Sequence, residues 1–579
     1  MRTSLAKTQE LLKKDEVIIY EAAFLHENLF IRADLVVKKE KNIQLIEVKA
    51  KSFDSTGDSF TGKNGIKSDW EPYVYDAAFQ KYVIQKSHPD FKVTAYLLLS
   101  DKSSKASVEG LNQLFFIRRE GGRFLVEKPK KIDKVQLGNQ ILTLQSVDQL
   151  CDEIINDDFE NDINLYSAHY SAGKKIEMAL SPACSKCEFK PDADFIAQGF
   201  QSGFNECWAS SGLSSEQIDK HLHLYLWDFR KKEQFMLQEQ YLMTKLTRED
   251  LEPKSKSKKK ETYGLSRTDR QWLQVEKTAK GDTSSYLDKA GMAEAISSWT
   301  FPLHFIDFET TMVAIPFNAG RRPYEQIAFQ FSHHIVNADG SIEHKGQWIN
   351  TERGVFPNFE FVRALKRELE SDEGTIFRYA AHENTILNII YRQLQDSSEK
   401  DKEELCAWIQ TITKASGSRA EDWRGDRNMV DLRDLIVKFY FNPATGGSNS
   451  IKKVLPAVLQ ESRFLQEKYS EPIYGSEILS KNFQDKVWIT WESDRIVNPY
   501  DLLPPIHEEA SNATLDEFVT DEEAGISDGG AAMIAYAKMQ FTQMSEEEKG
   551  AVQAALLRYC ELDTMAMVMI YEAFKEWCK

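Results

Sequence analysis

The run His304-Phe305-Ile306-Asp307-Phe308-Glu309-Thr310-Thr311 constrains this chain more than any other. It is an apolar stretch that ends on two carboxylates two positions apart. Along a strand, residues i and i+2 point to the same side. Asp307 and Glu309 therefore project together, flanked by Phe305, Ile306 and Phe308, which have the bulk to bury. Two carboxylates this close repel each other unless a cation sits between them. Oxygen ligands of this kind suit a hard divalent ion, Mg2+ or Mn2+. Alone, the pattern also fits a plain strand end with two solvated acids, so the rest of the chain decides.

Downstream, Ile327 to Val336 and Gly346 to Asn350 read as strands, and Phe359 to Ser371 as an amphipathic helix. A buried strand, Thr375 to Tyr379, then delivers Glu383 to a helix start, where a third carboxylate can close the site. Met429 to Leu435 is strand-like and opens a further helix, and Ser450 to Leu455 begins another. Near the end, Leu556 to Ala566 is helical and carries Tyr559 and Asp563 four apart, hence on one face. The Asp adds to a set of acids for two metals, and the Tyr hydroxyl lies one turn away to orient a water. The plainer reading is a core helix whose Tyr and Asp reach solvent or a neighbouring hydrogen bond.

The first 150 residues read as a helix (Leu5 to Lys14), three strands (Val17 to Phe24, Phe30 to Lys38, Ile43 to Ala50), a helix (Pro72 to Ser87) and a strand (Val93 to Leu99). Asp34 interrupts the apolar second strand, and the third ends with Glu47 and Lys49 on one face. Two carboxylates on adjacent strands can share a metal, with the lysine polarising a water or stabilising developing charge. Glu21 on the first strand reads as a solvated acid, with a further ligand as the alternative.

The net charge of -17 over 579 residues argues against nucleic-acid binding by bulk basicity. It does not exclude a nuclease, because metal ions and local Lys/Arg groups supply a positive field. Hydrophobic content of 42% and charged content of 28% fit a globular protein. The N-terminus carries no apolar signal core and no stretch approaches a membrane span, and seven cysteines do not make a disulfide scaffold. A cytoplasmic protein without a membrane partner is expected.

The N-terminal element order with Asp34, Glu47 and Lys49 resembles the PD-(D/E)xK nuclease superfamily. It is most similar to the RecB-type exonuclease branch that includes CRISPR-adaptation relatives. That branch carries a glutamine on the helix after the lysine strand, which here matches Gln80. Asp307, Glu309, Glu383, Asp563 and Tyr559 resemble the set of DEDD exonucleases on a ribonuclease-H-like fold, in the tyrosine subtype of proofreading domains and ribonuclease D. That family usually has Asp where Glu383 stands, and Asp431 is the next candidate. Together the motifs resemble a bacterial family that fuses the two modules. The resemblance implies an α/β multidomain chain. It divides into a PD-(D/E)xK core at 1–145, a helical, Cys-containing extension at 146–250, a linker and helical lead-in at 251–299, and a DEDD exonuclease-like domain at 300–579.

The RecB-type relatives also hold an iron–sulfur cluster, which implies Cys184, Cys187 and Cys207 as ligands here, or as zinc ligands. No cysteine precedes residue 151, so the first cluster ligand is missing, and Cys151 substitutes only if the fold brings it near. Ordinary thiols are the alternative. The run Pro253 to Lys260 reads as a solvated basic linker, or as an arm contacting nucleic acid. Ser493 to Asp528, acidic and Pro-poor after Pro505, reads as a surface insertion.

Two functions of different class follow. The first is a metal-dependent nuclease, with DNA favoured over RNA, working 3′ to 5′ at the C-terminal site, with a second site in the N-terminal domain and a place in antiphage defence or repair. The second is a non-catalytic nucleic-acid-binding or scaffold subunit of a DNA-processing or defence complex. The completeness of both acid sets favours the enzyme. No G-x4-GK-[ST] phosphate loop is present, so ATP-driven unwinding would come from a helicase partner.

Overall fold

A computed structural model of the chain describes residues 2–120, 123–156, 158–191, 193–252, 263–417, 421–503, 529–541 and 544–579. The basic run at 253–260 and residues 504–528 of the acidic stretch lie outside the described residues. The protein is a mixed α/β multidomain chain built around two five-stranded sheets.

The first sheet follows helix α1 (Arg2–Leu12). It contains β1 (Glu16–His26), β2 (Leu29–Lys39) and β3 (Asn42–Phe53), then β4 (Lys92–Asp101) after helix α2 (Glu71–Ser87), and last β5 (Leu142–Ser146). The expected strands and second helix lie within these elements, while the first helix ends at Leu12, short of the expected Lys14. The spatial order is β1-β2-β3-β4-β5. Strands β1 to β3 form an antiparallel meander, β4 runs parallel to β3, and β5 is antiparallel to β4. Two tight turns join the meander, with Glu27 and Glu40 in the left-handed region. The parallel step needs a crossover, which α2 supplies. Val74, Ala77, Ala78 and Val83 of α2 pack on Phe24, Ala33, Val36 and Leu45 of the sheet. This core also takes in Cys151, Ile154, Phe159 and Ile163 from the next two helices. Strand β3 has one irregularity. Its pairing with β2 ends at Leu35–Ile46, and its register with β4 shifts between Val48 and Ser52. Lys49, Ala50 and Lys51 lie outside both paired registers.

His221 to Thr247, in the extension expected to be helical, forms short helical turns with a Leu222–Leu242 bridge. The helical lead-in to the second sheet is interrupted by a strand. Tyr286 and Leu287 pair with Tyr440 and Phe441 as a short strand. The helix Lys289–Ser297 begins where the Asp288 carboxylate accepts from the Gly291 amide at 3.0 Å.

The second sheet has β6 (Leu303–Thr311), β7 (Ile327–Val336), β8 (Ile342–Ile349), β9 (Ile376–Arg378) and β10 (Val430–Asp431), in the order β8-β7-β6-β9-β10. Strands β6, β7 and β8 are antiparallel neighbours, and β9 and β10 run parallel to β6. Helices α3 (Asn358–Leu369) and α4 (His382–Gln395) cover one face. The other face is covered by α6 (Ile451–Glu461), α5 (Leu432–Phe439) and the long helix α8 (Glu546–Trp577), while α7 (Gly529–Phe541) packs beside β6. Helix α8 starts in a capping box at Ser545 and becomes buried almost all round between Tyr559 and Phe574. A helix apolar on every face belongs inside a core. Glu561 and Asp563 within that stretch therefore need partners. No helix among the described residues is long and apolar enough to cross a membrane.

Candidate metal centre

Strand β6 runs through the middle of its sheet, so both its faces are covered. Ile306 and Phe308 pack toward α3 and α4. Phe305 packs toward α8, with Leu562 and Met565. By strand alternation Asp307 and Glu309 share the Phe305 side. There α8 supplies Asp563, and carboxylate oxygens of Asp307, Glu309 and Asp563 all lie within 4.8 Å of one another. Glu309 is only 6% exposed. Glu383 stands in the first turn of α4, buried, and its Oε2 has no hydrogen-bond partner among the described residues.

Burial and mutual repulsion push Asp307, Glu309 and Glu383 toward the neutral form. Asp307 is raised well above the usual carboxylate range by burial first, then by Asp563, Glu383 and Glu309. Glu309 is raised likewise by burial and Asp563, with Lys452 opposing. Glu383 is pushed up to about 8 by burial, with Asp431 and Asp563 adding and Arg378 opposing. Crowded hard oxygen donors with an orphaned buried Oε2 fit a divalent cation, whose charge offsets that repulsion.

Side chains outside the acid set complete the site. Lys452, at the start of α6, donates to the Tyr559 hydroxyl. Its ammonium lies 5.0 Å from the Tyr559 ring centre and 5.3 Å from that of Tyr500. The Tyr500 hydroxyl donates to Asp563 Oδ1. The Cys560 thiol lies 3.5 Å from Asp307 Oδ2. Lys452 and Tyr500 carry no motif in the sequence, and Tyr500 falls within the stretch expected to be a surface insertion. Asp431 has a different task. Its Oδ2 accepts from Arg378 at 2.8 Å, and its Oδ1 accepts from the amides of Ala380, Arg433 and Asp434. It caps α5 beside Glu383, so its oxygens are already used.

The N-terminal acids meet a second network. Glu47 Oε1 accepts from Lys49 Nζ at 2.9 Å, and Glu47 Oε2 from Gln80 Nε2 at 2.8 Å. Asp76, one turn before Gln80 on α2, accepts from both Lys49 (2.7 Å) and Gln80 (3.0 Å). The spacing of four to Gln80 was the signal for Asp76 in the sequence. Continuing the β2–β3 register brings Asp34 opposite Glu47, and Asp34 Oδ2 accepts from the Val48 amide at 2.8 Å. Burial raises Glu47 above the usual range, against the hydrogen bonds from Lys49 and Gln80. Burial pulls Lys49 down, but hydrogen bonds to Asp76 and Glu47 outweigh it and hold the ammonium charged. Glu21 pairs with Arg32 on the surface, as a solvated acid does.

Removing the lysine leaves Glu47 buried without its ion partner. Lys49→Met should therefore cost on the order of 1–3 kcal/mol of stability at pH 7, read by urea denaturation. An unchanged midpoint would show that Glu47 is not held by that pair.

Cys184, Cys187 and Cys207 do not bring their sulfurs to the spacing of a single-ion site, with all ligand atoms within 4.8 Å of one another. Among the described residues the three-ligand grouping is Asp307, Glu309 and Asp563, and no sulfur joins it or forms another. Cys184 and Cys187 are half-buried thiols against the small core of Phe204 and Trp208. The Cys184 sulfur accepts from the Ser181 amide at 3.4 Å. Cys207 is half-buried and free. Cys151 is fully buried in the N-terminal core against Val74, where burial pushes its thiol up to about 12. The local reason is that this segment packs its thiols as small apolar groups.

Residues 304–450 match the family model described as a domain of unknown function (DUF2779). The match takes in Asp307, Glu309, Glu383 and Asp431, and ends before Lys452 and Asp563. Among curated proteins no match is found, and none among solved structures.

Proposed function

We propose that the chain is a metal-dependent nuclease that hydrolyses phosphodiester bonds at the acid cluster of the second sheet. The observation that carries this is the convergence of Asp307, Glu309 and Asp563 within 4.8 Å, next to buried Glu383. Crowding four acids together in a core is costly unless a cation is to be held there. A divalent ion, when bound, supplies Lewis-acid charge neutralisation and a more acidic water. The chain's own groups supply the rest. The Tyr559 hydroxyl accepts from Lys452 and stands one turn before Asp563, where it would orient an attacking water. Lys452 adds positive charge beside Glu309. Tyr500 holds the Asp563 carboxylate in place. The acids, with Tyr559 one turn before Asp563, support a DEDD-type 3′-to-5′ exonuclease reading.

The helix–three strands–helix–strand order of the first sheet, with Asp34, Glu47, Lys49 and Gln80, supports a second, PD-(D/E)xK-type site. Lys49 would there offset developing charge on the phosphate. DNA is the favoured substrate, and a role in defence or repair beside a helicase is the pathway reading.

The test is cleavage of 3′- and 5′-end-labelled single- and double-stranded DNA and RNA with Mn2+, Mg2+ or EDTA. Stepwise shortening from the 3′ end that EDTA abolishes is expected. Absence of metal-dependent cleavage on every substrate would overturn the reading in favour of a binding subunit.

A further inference from the structure

The loop between β6 and β7 leaves the acid cluster and reaches the first sheet. Its Phe317 is buried against α7 through Tyr536 and Phe541. Its backbone makes a seam with the segment after β4. The Ala106 amide donates to the Arg321 carbonyl (2.9 Å), that of Gly320 to Ala106 (2.7 Å) and that of Gly110 to Phe317 (2.9 Å). The Arg322 guanidinium donates to the Ser103 carbonyl. This loop ends in Tyr324, a bulky residue at φ 56. A left-handed conformation in such a residue persists only where its surroundings enforce it. The Tyr324 amide donates to the Val313 carbonyl at 2.8 Å, which closes the loop. Its hydroxyl donates to the carbonyl of Ala50, the residue after Lys49.

That carbonyl belongs to the part of β3 outside both paired registers. The segment that carries Lys49 is therefore held from the other sheet. Burial and the neighbouring Tyr73 push the Tyr324 hydroxyl up to about 12, so it stays a donor. The Tyr73 ring lies 5.8 Å from the Lys49 ammonium and 5.1 Å from that of Lys51, so Tyr324 closes onto the packing around the lysine.

We propose that Tyr324 is a positioning residue for Lys49, so that the N-terminal site is set by a loop rooted at the C-terminal acids. This rests on the nuclease reading of the N-terminal site. A displaced lysine loses alignment with the scissile phosphate, and small misplacements cost rate rather than binding.

The test uses the full-length protein carrying Asp307→Asn, so that the N-terminal site alone cuts. Adding Tyr324→Phe should lower kcat about 10-fold with KM nearly unchanged. In a Lys49→Ala background, where the C-terminal site cuts, the same substitution should leave kcat unchanged. Amide hydrogen exchange across 48–53 should rise in Tyr324→Phe, with the melting temperature little moved. Unchanged kcat and unchanged exchange overturn the proposal and leave the nuclease reading standing. No metal-dependent cleavage by either single-site protein overturns both the nuclease reading and the positioning role.

Discussion

Asp307→Asn, in a Lys49→Ala background, lowers metal-dependent cleavage about a thousandfold or more, equivalent to about 4 kcal/mol of transition-state stabilisation. The reason is geometric. Asp307 sits on the central strand of its sheet, with oxygens of Glu309 and Asp563 within 4.8 Å. Losing it removes a ligand and a full charge from a centre that depends on both. Because Asn is nearly isosteric, and because burial and three other acids already disfavour the Asp307 charge, the metal-free fold should not weaken. Initial rates on labelled DNA, beside melting curves, check both halves. A variant within about threefold of its parent would remove Asp307 from the reaction, since such a change is under 1 kcal/mol.

The second large effect concerns pH. Glu383 is held near 8 in the folded protein against an ordinary 4.5. Between those values the metal-free fold keeps a proton that the unfolded chain has released. Stability therefore falls as pH rises through that window, by up to about 1.4 kcal/mol per pH unit for one such proton. Below about 4.5 both states are protonated and the effect vanishes. Glu383→Gln carries no titrating group, so it should be more stable than the wild type at pH 8, by on the order of 1–4 kcal/mol, and equal to it near pH 4. A divalent ion should reverse the order. It binds the ionised acids of the wild type and raises its midpoint more at pH 8 than at pH 6, and raises that of Glu383→Gln less. Denaturation at pH 4, 6 and 8 with and without Mn2+ reads this, and a pH-independent difference between the two proteins would contradict it.

Legibility in the sequence followed locality. Asp307 and Glu309 were readable because a strand repeats every two residues, and Tyr559 and Asp563 because a helix repeats every four. Glu383 was readable as an acid at a strand-to-helix junction. Lys452 and Tyr500 were not readable. They lie 107 and 63 positions from their hydrogen-bond partners Tyr559 and Asp563, and no periodic pattern links residues that only tertiary packing joins. Tyr500 was hidden further by its acidic surroundings, which read as surface. Asp76 shares a helix face with Gln80 by its spacing of four, but only the fold brings Lys49 to it. Spacing brings Cys184 and Cys187 near each other in sequence, but only the fold decides whether further sulfurs converge; these two thiols pack against the core of Phe204 and Trp208.

The central claim is that Asp307, Glu309, Glu383 and Asp563 form a divalent-cation site. Calorimetric titration of Mn2+ into EDTA-stripped, full-length protein tests it most directly, with the wild type beside Asp307→Asn and Lys49→Ala. The account predicts saturable binding in the wild type, with proton release that grows at lower pH; the second-sheet component is kept in Lys49→Ala and lost in Asp307→Asn, which retains only binding at the Asp34–Glu47 site. Identical titrations for wild type and Asp307→Asn, or no binding by the wild type at millimolar Mn2+, would contradict it.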